Sequence, residues 1–193
     1  MIIGITGGSG CGKSTALKAI RALGGLVLDC DAIYHRLLQT DEALLSAIED
    51  AFPGTVIAGA LDRRKLASIV FSDEKALETL NSITHSAVIR EVKANLRPGL
   101  VAIEAIGLLE SELKTLCDHT VCITAPEESR ISRLTARDGI TEAEALARIR
   151  GQKPQTYFSD LCEYTLCNKG SEDAFYAQCL AFFQKWAIIE SNR

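Results

Sequence analysis

Near the start of the chain, Gly7-Gly8-Ser9-Gly10-Cys11-Gly12-Lys13-Ser14-Thr15 has the residue types and spacing that hold nucleotide phosphates. Gly7, Gly12, Lys13 and Ser14 match the pattern of a glycine, four residues, then glycine, lysine and a hydroxyl residue. The glycines free the backbone to turn several N–H groups toward one anion, and a helix starting near Lys13 adds its positive end. Lys13 then reaches the β- and γ-phosphates as a point charge, and the Ser14 hydroxyl ligates a bridging magnesium ion. Gly10, Cys11, Gly12 and Thr15 complete the cradle, Thr15 on the α-phosphate side. The alternative is a glycine-rich turn with no ligand. Against it stands the context the motif requires, an apolar strand-like segment at 1–5 and a helix-forming run at 16–23.

Further along, Asp29 and Asp31 follow an apolar segment, where ligand crevices open in parallel sheets. In extended backbone they share a face, and one of them could take the proton of an attacking hydroxyl. Equally, Asp31 could simply cap a helix starting at Ala32. Arg130, Arg133, Arg137, Arg148, Arg150 and Lys153 concentrate positive charge in one stretch of an acidic chain. Arg133 and Arg137 are four residues apart and share a helix face, either as a phosphate clamp or as a solvated face with pairs such as Glu144 to Arg148. His85 sits alone in a helical stretch, as a structural residue or a ligand. Glu104 and Glu110 flank the end of another strand, where Glu104 could hold magnesium-bound water, meet the substrate, or cap the next helix. Cys11, beside a helix N-terminus, is expected to have a lowered pKa and to alkylate readily unless MgATP protects it.

Strand-like apolar runs at 2–5, 26–28, 100–103, 120–123 and 164–166 alternate with helical patterns and must build a parallel sheet that presents the loop. Between the second and third runs lies a long helical excursion, about 32–96, with one brief strand-like stretch at 55–58; it reads as an inserted substrate lobe. After the fourth, a helix opens at Pro126-Glu127-Glu128 and runs to about Arg137, and Thr141 to Glu144 opens another with a capping box. At 193 residues and 47% hydrophobic, one domain with attached lobes is expected. A net charge of −4 and a pI near 5.5 give no global attraction to nucleic acid. No apolar stretch approaches a membrane span, and the chain opens inside a strand rather than a basic, cleavable leader, so cytoplasmic work is expected. Seven cysteines without a C-x-x-C pair fit neither a disulfide scaffold nor a zinc site.

Nearly the whole chain resembles the dephospho-coenzyme A kinase family. The matching segments are Ile3 through Thr15, Asp29-Cys30-Asp31, Leu61-Asp62-Arg63 with Val70-Phe71, Thr84-His85, Leu108-Leu109-Glu110, Arg133 with Arg137-Asp138, Arg148-Ile149 with Gln152, and Asn168-Lys169-Gly170. The resemblance implies an α/β, P-loop NTPase-like three-layer fold with a five-stranded parallel sheet. The core would comprise about 1–31, 97–125 and 160–193, with a helical acceptor lobe at 32–96 and a helical lid at 126–159. It implies ATP and Mg2+ as cofactors, dephospho-CoA as acceptor, and phosphorylation of the acceptor's ribose 3′-hydroxyl, the last step of coenzyme A biosynthesis. It gives Asp31 the role of general base and Arg137 that of a phosphate contact from the lid. Arg63, His85, Glu104 and Arg133 join Asp31 as substrate contacts. No nucleic-acid or membrane partner is implied, and the expected state is a monomer or small homo-oligomer.

The chain departs from the family pattern at several points. The D-x-P-L-L-x-E stretch reads Glu104-Ala105-Ile106-Gly107-Leu108-Leu109-Glu110, the H-P pair is His85-Ser86, the A-D pair is Cys162-Glu163, and a lid glutamine is Arg130. Two other readings share the loop. One is a nucleoside or nucleoside monophosphate kinase, which would lack the L-D-R and T-H blocks; the other is a nucleotide-binding switch, which acceptor-dependent ADP release would exclude.

Overall fold

A computed structural model describes residues 1–191 of the chain. Its contacts divide it into two compact units, residues 29–96 and the remainder.

In the larger unit the five expected strands form one sheet, β1 (Ile2–Thr6), β2 (Leu26–Asp29), β5 (Val101–Glu104), β6 (His119–Thr124) and β7 (Tyr164–Cys167), in the order β2-β5-β1-β6-β7. β1 pairs in parallel with β5 (Ile2 opposite Val101) and with β6 (Ile3 opposite His119), and β6 pairs in parallel with β7. A central parallel strand is covered on both faces, which is why β1, β5 and β6 read as unbroken apolar runs rather than alternating ones. α1 (Lys13–Ala22) and α9 (Glu172–Ser191) pack together and share a core with β1 and β6. Phe175, Cys179, Phe183 and Trp186 recur every three or four residues along α9 and join Leu17 and Ile20 of α1 against Ile3, Ile5, Val121 and Ile123.

In the arginine-bearing stretch, α6 (Glu127–Asp138) and α7 (Glu142–Arg150) pack through a small apolar cluster of Leu134, Ala145 and Ile149. α8 (Gln155–Leu161) leads back to β7. The capping box expected at Thr141 is present, with both reciprocal bonds to Glu144. The box occupies Glu144, and Arg148 pairs with Asp138 at 2.5 Å rather than with Glu144 as the solvated-face alternative had it.

The smaller unit is helical, with α2 (Cys30–Thr40), α3 (Glu42–Ala51) and α4 (Arg63–Val70) packed on the long α5 (Glu74–Asn95). Asp41, Asp62 and Asp73 cap α3, α4 and α5 through side-chain oxygens, which explains why these helices start where they do. The brief strand expected at 55–58 is present as β3 (Val56–Ile57), and it pairs in a hairpin with β4 (Ala60–Leu61), reversed by Ala58 and Gly59 with φ of 50° and 78°. One sequence expectation is corrected here: Asp29 and Asp31 do not share a strand face, because α2 begins at Cys30. Asp29 is the helix cap, accepting from the Ala32 amide at 2.9 Å, and Asp31 lies in the first turn.

Candidate nucleotide site

The glycine-rich loop joins β1 to α1 in the order its motif requires. Two of its glycines are dictated by space as well as backbone. A Cβ on Gly7, at φ +135°, would lie 2.2 Å from the Ile123 carbonyl oxygen; one on Gly12, at φ +102°, would lie 2.3 Å from Nδ2 of Asn168. The loop therefore sits down on β6 and on the residue after β7. The N–H groups of Gly12, Lys13 and Ser14 have no acceptor among the described residues, so they face outward at the positive end of α1, the arrangement that receives an anion.

Lys13 folds back over this loop. Its Nζ donates to the carbonyls of Gly7 at 2.8 Å and Gly8 at 3.4 Å, and lies 3.5 Å from Oε1 of Glu104. Glu104, the last residue of β5, is buried, so the expected helix-cap alternative gives way to a carboxylate held beside the loop lysine. Ser14 is exposed in the first turn of α1, and its hydroxyl has no partner among the described residues. Thr15 is buried, turned into the helix packing.

Four side chains from distant sequence hold the loop carbonyls and amides in place. Arg130, only 4% exposed, donates through Nε to the Ser9 carbonyl at 2.8 Å and through Nη2 to Oε1 of Gln152 at 3.3 Å. Gln152 in turn accepts from the Ser9 amide at 2.9 Å and donates to the Ser9 hydroxyl at 2.7 Å. Arg133 donates to the Gly10 carbonyl at 3.1 Å and to Oδ1 of Asn168 at 3.0 Å, and Asn168 donates from Nδ2 to the Cys11 carbonyl at 3.0 Å. Gln155 accepts from the Ala125 amide at 2.8 Å and faces the Cys11 thiol at 3.7 Å. Sequence reasoning had Arg133 as a substrate contact and gave Gln155 no role. Gln152 and Asn168 entered only as matching positions, because nothing in their local sequence shows that they support residues more than 140 positions away.

Cys11 reverses its expectation. The side chain is fully buried toward Gln155, and burial pushes its thiol above the ordinary value against the opposing fields of Arg130 and Lys13. It should therefore label slowly with iodoacetamide in the folded protein, with or without MgATP, and quickly once the chain is unfolded. Rapid labelling of the folded protein would show that the loop opens.

In the smaller unit Asp31 is exposed and makes no hydrogen bond or ion pair with any described residue. Arg63, exposed at the start of α4, acts on Tyr34, whose hydroxyl is raised by burial and lowered in turn by that charge; Tyr34 lies one turn after Asp31 on α2. His85 is exposed midway along α5, beside the buried Thr84. At the end of α6, Arg137 engages its neighbour Asp138 through two bonds of 2.6 and 2.9 Å. The bond from Arg137, reinforced by Arg148, holds the Asp138 carboxyl down to about 2.

A family model for dephospho-CoA kinase matches residues 1–173. A dephospho-CoA kinase from Carboxydothermus hydrogenoformans is 34% identical across 96% of this chain and 94% of its own length. Among solved structures, one from Thermus thermophilus is 37% identical with a TM-score of 0.77 over 95% of this chain and 97% of its own. A dephospho-CoA kinase from Campylobacter jejuni, 22% identical over 96% of each chain, shares the fold with a TM-score of 0.66. With a phosphate-binding loop built as a P-loop kinase requires and likeness running along nearly the whole sequence, the chain belongs to the dephospho-CoA kinase family and is a kinase of coenzyme A biosynthesis.

Proposed function

We propose that the chain moves the γ-phosphoryl group of ATP to the ribose 3′-hydroxyl of dephospho-CoA by in-line displacement, with Asp31 as the general base. The observation that carries this reading is the contrast between two neighbouring carboxylates. Asp29 is spent on the α2 cap, whereas Asp31, in the first turn, is exposed and without a protein partner among the described residues. A carboxylate without a structural duty can accept the hydroxyl proton as the oxygen attacks phosphorus.

Lys13 and the outward amides of Gly12, Lys13 and Ser14 bind the β- and γ-phosphates, with Gly10, Cys11 and Thr15 supporting the loop. Ser14 is the residue that would hold magnesium, because its hydroxyl is a hard oxygen donor, exposed and without a partner among the described residues; the ion would supply charge neutralisation at the phosphates. Glu104 keeps Lys13 poised in the absence of nucleotide. Arg137 turns from Asp138 to the transferring phosphoryl group, where its planar fork matches the equatorial oxygens. Arg63 and His85 contact the acceptor. Arg133 supports this chemistry through Gly10 and Asn168.

Cytoplasmic work suits this reading, since all seven cysteines are free thiols. No helix among the described residues is long and apolar enough to cross a membrane.

The test is ADP production from MgATP by the purified protein, with and without dephospho-CoA and beside a panel of nucleosides and nucleotides. Turnover confined to dephospho-CoA is expected. Turnover with a nucleoside or nucleoside monophosphate instead would overturn the acceptor, and ATP binding without acceptor-dependent turnover would overturn the enzymatic reading.

A further inference from the structure

Arg130 places a cation against the loop where a neutral glutamine, whose Nε2 corresponds to arginine's Nε, could serve the bond to the Ser9 carbonyl. Its guanidinium lies directly beneath the loop: a Cβ on Gly8 would come within 2.5 Å of its Nη2. It is buried, and no carboxylate pairs with it among the described residues; its partners are the Ser9 carbonyl and the Gln152 side chain. Burying a charge without an opposite charge is costly, and a neutral replacement is often as stable or more so. The folded protein alone thus gives no return for the charge, whereas an anion in the loop above it would.

The bond to Ser9 adds a second effect. In a trans peptide the carbonyl and the following N–H point opposite ways, so holding the Ser9 carbonyl toward α6 turns the Gly10 N–H away from it. Asn168 does the same for the Gly12 N–H by holding the Cys11 carbonyl.

We propose that Arg130 is a positioning residue of the nucleotide site: its buried charge takes the phosphates of the bound nucleotide as its counter-charge, and its bond to Ser9 aims the Gly10 amide at them. This rests on the reading of the loop as the ATP site. Arg130 acts through the loop rather than by touching the reacting atoms.

The test compares wild type with Arg130→Gln and Arg130→Lys, using MgADP and inorganic tripolyphosphate as probes in titration calorimetry, with melting temperatures taken with and without probe. For Arg130→Gln, affinity for both probes should fall roughly tenfold, the scale of one charge-assisted interaction. The loss should shrink as salt is raised. The ligand-free melting temperature should hold or rise, since a buried charge has been removed. KM for ATP should rise while kcat and the KM for dephospho-CoA hold, and Arg130→Lys should recover part of the affinity. Unchanged affinity in Arg130→Gln would overturn the proposal. So would an affinity loss that comes with a lowered ligand-free melting temperature and no recovery by lysine, which is the signature of a structural contact alone. If wild type itself binds neither probe, the ATP-site reading fails first.

Discussion

Replacing Asp31 with asparagine is expected to lower kcat by at least about 100-fold while leaving the KM for ATP nearly unchanged, the scale of a lost general base. Asparagine keeps the shape of the side chain and its place in the first turn of α2, so the helix start is undisturbed. What disappears is the ability to accept a proton. Asp29 offers an internal control two residues away. Its side chain already accepts from the Ala32 amide, and asparagine caps a helix about as well as aspartate, so Asp29→Asn keeps both stability and turnover. Steady-state kinetics of the two variants side by side check the assignment. Asp31→Asn with near-full turnover would remove Asp31 from the role of base, and a collapse confined to Asp29→Asn would transfer the role to its neighbour.

Lys13→Met is expected to give the second large effect, a fall in kcat/KM of roughly 100- to 1,000-fold, as when a preorganised charge aimed at the transition state is deleted. Methionine preserves much of the aliphatic stem but no donor. In the ligand-free protein Lys13 ties Gly7 and Gly8 to the buried Glu104, so the same substitution also removes the ammonium 3.5 Å from that carboxylate and is expected to lower the melting temperature. The double variant Lys13→Met, Glu104→Gln separates the two consequences: it recovers melting temperature because the carboxylate charge is gone, and it recovers no activity because nothing replaces the ammonium at the phosphates. Recovery of activity in the double variant would mean that Lys13 serves chiefly to neutralise Glu104.

The contrast between Asp29 and Asp31 shows where the sequence stops being informative. Both residues are carboxylates after the same strand, and reading the segment as extended put them on one face. The outcome turned on whether the helix began at Cys30 or Ala32, a difference of two residues that decides which acid is the cap. Cys11 shows the same limit. Its position beside the start of α1 argued for an activated thiol, but burial against Gln155 outweighs the local field. The arginines also divide by surroundings. Arg130 and Arg133, which face the loop carbonyls, support the loop, while Arg137 is exposed and among the described residues pairs only with its neighbour Asp138.

From sequence alone came the elements that short-range physics marks most strongly. The glycine pattern with Lys13 and Ser14 specifies a phosphate loop because backbone freedom, charge and hydroxyl lie within nine consecutive residues. The five apolar runs specify strands of a buried parallel sheet, and Thr141 with Glu144 specifies a helix start, for the same reason. Only the tertiary structure decided the strand order, with β1 between β5 and β6, since parallel neighbours are joined through distant crossovers and leave no local mark. It alone showed that Arg130, Gln152 and Asn168, at separations of 121, 143 and 157 residues, hold the loop in its binding shape. Hydrogen bonds of that span are set by how the whole sheet and its covering helices pack, and no window of sequence contains both partners.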